Sequence, residues 1–225
     1  MTLTGWKKYF KVTEKDFLVI GVIHLFLLWR GLDGAVVMAT KSVLLPILLI
    51  WTWPVTTKQP WLRVAMLASW LGDVLLLKEN DALFFMLGLG AFLVAQLSYG
   101  TAFLKSDSAT PGLLRQKPLL ALPVLVLAGA FFVYLYSYLG EMLLPVAIYV
   151  CAISFMVLSA INRRAFDSKG SNVLIVAVLS FMLSDTLLAI NKFVLPIPHA
   201  SVWIMLTYMM AQYGIAQSYW LEIRI

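Results

Sequence analysis

SWLGDVLLL, residues 69–77, and SFMLSDTLLA, residues 180–189, decide how this chain must be read. Each sets one carboxyl group, Asp73 or Asp185, inside an apolar run long enough to cross a bilayer. An ionised acid at that depth costs about 3 kcal/mol or more, so such residues are kept for function or held by a partner.

Working outward, the composition agrees with the membrane reading. Of 225 residues, 62% are hydrophobic and 12% charged, and the mean hydropathy is +0.90. An ordinary soluble domain is about 45–50% apolar. The composition therefore points to an all-α membrane protein, a single bundle of about eight transmembrane helices. The lone Cys151 excludes an intrachain disulfide and reads as a small core residue. The net charge of +6 sits in short basic clusters between apolar runs, which fits orientation in a membrane and not a nucleic-acid face.

A spanning helix needs about 20 mostly apolar residues. By that measure the spans fall at 16–30, 35–53, 61–77, 82–104, 119–138, 142–162, 172–191 and 201–220. Residues 1–15 form a basic cytoplasmic or interfacial segment, and 16–225 the transmembrane domain. The first span follows Lys7, Lys8, Lys11 and Lys15 but leads into Arg30 and Asp33 with no small-residue cleavage site, so it reads as retained. Alternate loops hold Lys58 and Arg63, then Lys105, Arg115 and Lys117, then Arg163, Arg164 and Lys169, with Arg224 at the end. The intervening loops hold only Arg30, Lys78 and Lys192. This alternation places both termini in the cytoplasm, and a bacterial inner membrane or an endoplasmic reticulum membrane fits equally. The matching surroundings of Asp73 in the third span and Asp185 in the seventh suggest a parallel four-plus-four repeat.

Helical rise converts sequence position into depth. Asp73 and Asp185 lie roughly 18 and 20 Å from the inner ends of their spans; Lys41, Tyr208 and Tyr149 lie roughly 9–10 Å below the outer boundary. In a core of about 30 Å these five groups share one layer, which suggests one cavity. An acid paired with Lys41 would serve only to lock helices together. Two acids sharing one lysine leave a surplus charge or proton, and in a medium of low polarity one carboxyl is expected to stay protonated beside an ionised neighbour. His24 reads as a hydrogen bonder between helices, Gly88, Gly90 and Ala91 as a close-packing surface, and Gln96, Tyr99 and Gln212 as groups that line the lower cavity or cross-link helices. No His or Cys stands at a metal-ligand spacing, so neither metal nor cofactor is expected.

Lys41-Ser-Val-Leu-Leu-Pro46, Gly72-Asp73, the run Phe85 to Tyr99 with Gly88 and Gln96, Ser184-Asp185 and Tyr208-Met-Met-Ala-Gln212 follow in an order that resembles the YhhN-type lysoplasmalogenases. The family pattern has histidine where this chain has Gln96. The resemblance implies hydrolysis of the vinyl ether of a lysoplasmalogen to a fatty aldehyde and a glycerophospho-alcohol, without cofactor. Asp73 and Asp185 would then be the catalytic pair, one giving a proton while the other stabilises the cation and directs water. Lys41 and Lys192 would hold the phosphate of the lysophospholipid substrate, and Tyr149, Tyr208, Asn191 and Gln212, with Gln96 and Tyr99, its glycerol and headgroup. The substrate chain would enter sideways from the membrane lipid.

Two other functions fit a pair of intramembrane acids. A proton-coupled transporter would use Asp73 and Asp185 as a relay between rocking halves. An intramembrane aspartyl protease would use them as its dyad, although its fuller glycine-flanked and proline-containing motifs are absent from the sequence.

Overall fold

The computed structural model describes residues 12–57, 59–78, 80–104, 112–163 and 169–223. Among these the secondary structure is all helical. Eight long helices run α1 Glu14–Trp29, α2 Ala35–Thr56, α3 Pro60–Leu75, α4 Ala82–Leu104, α5 Leu122–Leu139, α6 Leu143–Arg163, α7 Lys169–Ala189 and α8 Ala200–Ile223. A helix stands at each of the eight expected places, with ends shifted by a few residues. Lys7, Lys8, Lys11, Lys58, Lys105, Arg164 and Arg224 lie outside the described residues. Five segments are long and apolar enough to cross a membrane, and the fourth, Pro118–Arg163, holds both α5 and α6. The chain is thus an integral membrane protein. Helix α1 has 16 residues and, unlike α3, which the turn to Lys78 extends, it is not prolonged; α8 buries the polar Gln212 and Ser218.

The chain forms two compact units, 1–95 and 96–225, with the boundary inside α4. In the first, Asp16 Oδ2 accepts the Thr13 backbone N–H and hydroxyl at 2.7 and 2.9 Å, which starts α1. One stripe of α1, Phe17, Gly21 and His24, is buried. Thr40 Oγ1 directs its own hydrogen at the Val36 and Val37 carbonyls, both at 3.0 Å. It therefore accepts from His24 Nδ1 at 2.8 Å, and this bond ties α1 to α2 as the sequence suggested.

Helix α2 contains Pro46 and Pro54. Proline has no N–H to return to the carbonyl four residues earlier, so Pro46 leaves the Ser42 carbonyl without its helical donor. The indole of Trp70 on α3 supplies one, with Nε1 2.9 Å from Ser42 O. Helix α3 begins with Pro60 at its first position, where the missing N–H costs nothing. Its buried residues, Leu62, Ala65, Met66, Ser69, Gly72 and Asp73, follow the 3.6-residue period and put Asp73 on the inward face. Beside it, a Cβ on Gly72 would stand 2.6 Å from the Phe92 ring, and one on Gly88 would stand 2.7 Å from Leu76. The small-residue surface of α4 is narrower than expected, because Gly90 has nothing within 4 Å.

In the second unit the buried stripe of α7 is Leu174, Ala177, Val178, Phe181 and Ser184. It meets α8 closely: a Cβ on Gly214 would lie 2.7 Å from Ala177 Cβ, and Ser184 Oγ donates to Ile204 O at 3.0 Å. Helix α7 continues into a π-helical turn, Ile190–Val194. Phe193 and Val194 of this turn pack with Leu135, Leu139 and Val146 and join the ends of α5, α6 and α7. Cys151 is exposed on α6 and is not the core residue that the sequence suggested. The inward face of α6 is marked instead by Tyr149, Ser154 and Ser159, and Cys151 lies off it.

Trp70→Phe keeps the ring and deletes the donor to Ser42 O, which should lower stability by about 1–3 kcal/mol. A thermal melt of the purified protein in detergent should show the loss. An unchanged midpoint would mean that the freed carbonyl does not depend on Trp70.

Candidate active site

Asp185 stands on the inward stripe of α7, between Ser184, bonded to α8, and Thr186, whose hydroxyl is returned to Met182 O at 2.8 Å. The residue as a whole is partly buried. Two donors converge on one of its oxygens. Tyr149 on α6 donates its phenol to Asp185 Oδ2 at 2.8 Å, and Gln96 on α4 donates Nε2 to the same oxygen at 2.9 Å. Oδ1 takes no hydrogen bond among the described residues. Tyr149 is 8% exposed and Gln96 is fully buried, so both donors are fixed by packing.

The backbone explains how Gln96 reaches this place. Gly100, one turn further along α4, approaches α6 so closely that a Cβ there would be 2.4 Å from the Phe155 ring. Any larger residue would have to displace that ring. On the same face of α4, Tyr99 donates to Gln212 Oε1 of α8 at 2.6 Å. Phe181, one turn before Asp185, presents its ring edge-on to Tyr99 and Tyr208, with centroids at 6.4 and 5.7 Å. Tyr99 also stacks on Phe103 at 6.0 Å. The second unit therefore gathers Gln96, Tyr99, Tyr149, Asp185, Tyr208 and Gln212 from four helices around Phe181.

The remaining expected residues stand elsewhere. Asp73, 3% exposed, and Lys41, partly buried, belong to the first unit, on α3 and α2. One turn before Asp73, Ser69 Oγ is buried with no hydrogen-bond partner among the described residues. Asn191 sits in the π-helical turn, where its Oδ1 accepts the Ile197 N–H at 2.9 Å and closes the link to α8. Lys192, in the same turn, is exposed.

Sequence reasoning missed Ser69 and Phe181. Ser69 is four residues before Asp73 and Phe181 four before Asp185. Helical spacing put each on the face of its acid, a signal that was available.

The YhhN family model matches residues 36–219. The human protein named lysoplasmalogenase TMEM86A is 28% identical over 210 residues, covering 86% of this chain and 82% of that protein. The pig protein named lysoplasmalogenase TMEM86B is 33% identical over 158 residues, covering 70% and 62%. The Mycobacterium bovis lysoplasmalogenase is 30% identical over 145 residues, covering 63% of this chain and 53% of its own length. No solved structure matches the chain.

Gly100→Ala should force Phe155 aside and strain the contact between α4 and α6 at a cost of about 1–3 kcal/mol. Adding Phe155→Ala should recover a good part of the loss in a thermal melt. Equal midpoints for the single and double variants would show that the close approach does not set this helix pair.

Proposed function

We propose that this chain, which belongs to the YhhN family, is a lysoplasmalogenase-type hydrolase that cleaves the vinyl ether of an alkenyl lysophospholipid within the membrane. The observation that carries the reading is the family match over residues 36–219, which includes both Asp73 and Asp185. It is supported by relatives named lysoplasmalogenase that extend over most of the chain.

The chemistry suits the residues. A vinyl ether hydrolyses when its outer alkene carbon takes a proton, leaving an oxocarbenium ion that water attacks. The enzyme must therefore supply one acid and one group that bears negative charge and receives a proton, as carboxyl pairs do at glycosidic bonds. Asp73 and Asp185 are those two groups. Each is on the inward stripe of its helix, and Asp185 is held by two uncharged donors. The hemiacetal formed by water addition collapses to a fatty aldehyde and a glycerophospho-alcohol.

Lys41 and Lys192 serve the substrate phosphate as point charges. Tyr208, Asn191, Tyr99 and Gln212 border the glycerol and headgroup. The apolar outer faces of the helices, such as Leu125, Val126 and Leu127 on α5, meet lipid and deliver the single hydrocarbon chain from the side. The distribution of basic residues between loops supports an orientation with both termini in the cytoplasm.

The test follows fatty aldehyde release from an alkenyl lysophospholipid by purified protein in detergent. Wild type should release it, and Asp73→Asn and Asp185→Asn should each lose about 100-fold or more. No release by wild type would refute the hydrolase reading, and activity surviving both substitutions would refute the aspartate chemistry.

A further inference from the structure

We propose that the short helix Leu113–Gln116 and the turn that follows it, Pro118–Ala121, form a docking site for an anionic phospholipid of the leaflet they face. Arg115 and Lys117 meet the phosphate, and Leu119, Leu120 and Leu122 meet the acyl chains. The whole site lies in the second unit, and neither aspartate takes part in it.

The sequence sets two chemistries side by side here. Arg115 and Lys117 are exposed. Leu119, Leu120 and Leu122 follow directly and are 73%, 41% and 51% exposed. Leucines left open at the start of a span are at home in hydrocarbon, and cations at its end are at home among headgroups. The border between the two media therefore crosses the chain near Pro118, and both cations stand at the level of the lipid phosphates. Lys117 has φ −135°, outside the helical region, as the residue before a proline should be. The helix stops there, and the chain turns from the headgroups into the membrane.

An ordinary basic loop would put cations at the same level without fixing them. Here the backbone that bears them is held. Asn162, at the end of α6, accepts the Leu114 N–H with Oδ1 at 3.1 Å. Gly112 lies so close to the Asn162 amide that a Cβ would collide with it. The Lys117 N–H returns to Leu113 O at 2.8 Å, and Lys117 O accepts the Leu120 N–H at 3.2 Å, so the basic and the apolar turn are one continuous piece. Beneath them the Arg163 guanidinium lies over the Tyr219 ring, 4.5 Å from its centroid, and ties the end of α6 to α8. Cations on a held backbone lose less freedom when a phosphate arrives. Arg115 offers a planar fork of donors and Lys117 a compact charge. A zwitterionic headgroup carries a cation of its own, which works against these two, whereas an anionic headgroup keeps its net negative charge. Inorganic phosphate has the charge but not the chains that the three leucines require.

The test titrates the purified full chain in a neutral detergent with phosphatidylglycerol, phosphatidylcholine or inorganic phosphate and follows the thermal midpoint. Phosphatidylglycerol should raise the midpoint of the wild type in a saturable way, and the other two should not. In Arg115→Gln/Lys117→Gln the half-saturating amount of phosphatidylglycerol should rise about 10- to 30-fold, as expected for two cations near an anionic headgroup. Arg30→Gln/Lys78→Gln removes the same net charge from exposed residues of the first unit and should keep the wild-type dependence. Equal weakening in both double variants would make net charge the cause and overturn the site. An equal response to phosphatidylcholine, or a response to inorganic phosphate alone, would overturn the anionic lipid as its occupant. Asn162→Ala leaves Arg115 and Lys117 in place but frees the short helix, and it should weaken the response several-fold. An unchanged response in that variant would overturn the held backbone as the basis of the site.

Discussion

A carboxyl group among hydrocarbon has no water to satisfy it, and the protein must bring donors to it. At Asp185 those donors come from two other helices, Tyr149 on α6 and Gln96 on α4, and they reach the same oxygen. The packing of the second unit can be understood as what makes this possible. Gly100 lets α4 come close to Phe155 of α6, and Gly214 lets α8 come close to Ala177 of α7. Phe181 fills the space between the polar pairs with an aromatic edge. A larger side chain at Gly100 would displace the Phe155 ring, and one at Gly214 would press on Ala177 and push α8 from α7.

The same shortage of water governs polar groups away from the two acids. Pro46 frees a main-chain carbonyl, and Trp70 answers it from the neighbouring helix. His24 spends one nitrogen on Thr40, and Asn162 takes the Leu114 N–H at the start of a short helix, Leu113–Gln116. Asn191 spends its carbonyl on the backbone of Ile197. In each case one polar side chain closes a deficit left by the backbone or by a neighbour. A polar residue in a span is therefore as informative about the backbone around it as about a ligand.

What distinguishes Asp185 within this pattern is that its partners are uncharged. A lysine or arginine in contact would neutralise the acid and leave a structural tie, stable but inert. Tyrosine and glutamine orient the carboxyl group without pairing it with a counter-charge. In the proposed reaction, a cation that develops briefly would be met by such a group. The requirement fits the hydrolysis of an electron-rich ether, which asks for a proton, an anion and a water, with no metal or redox group in the scheme.

The eight helices and the membrane class were legible in the sequence, because apolar length and the 3.6-residue period are local properties. The two acids were legible for the same reason: a charge in a long apolar run stands out wherever the run is folded. Cys151 and Gly90 were misplaced because a cysteine or glycine in an apolar run suits a core and a lipid-facing position equally; the polar Tyr149, Ser154, Gln96 and Tyr99 mark the inward faces that they lie off. The partner of each polar group was beyond the sequence. Gln96 and Asp185 are 89 residues apart, and Tyr99 and Gln212 are 113 apart. Several glutamines and tyrosines of suitable depth were available to either acid. Only the close approach of particular helices, set by glycines whose neighbours lie on other segments, selects which donors meet which oxygen.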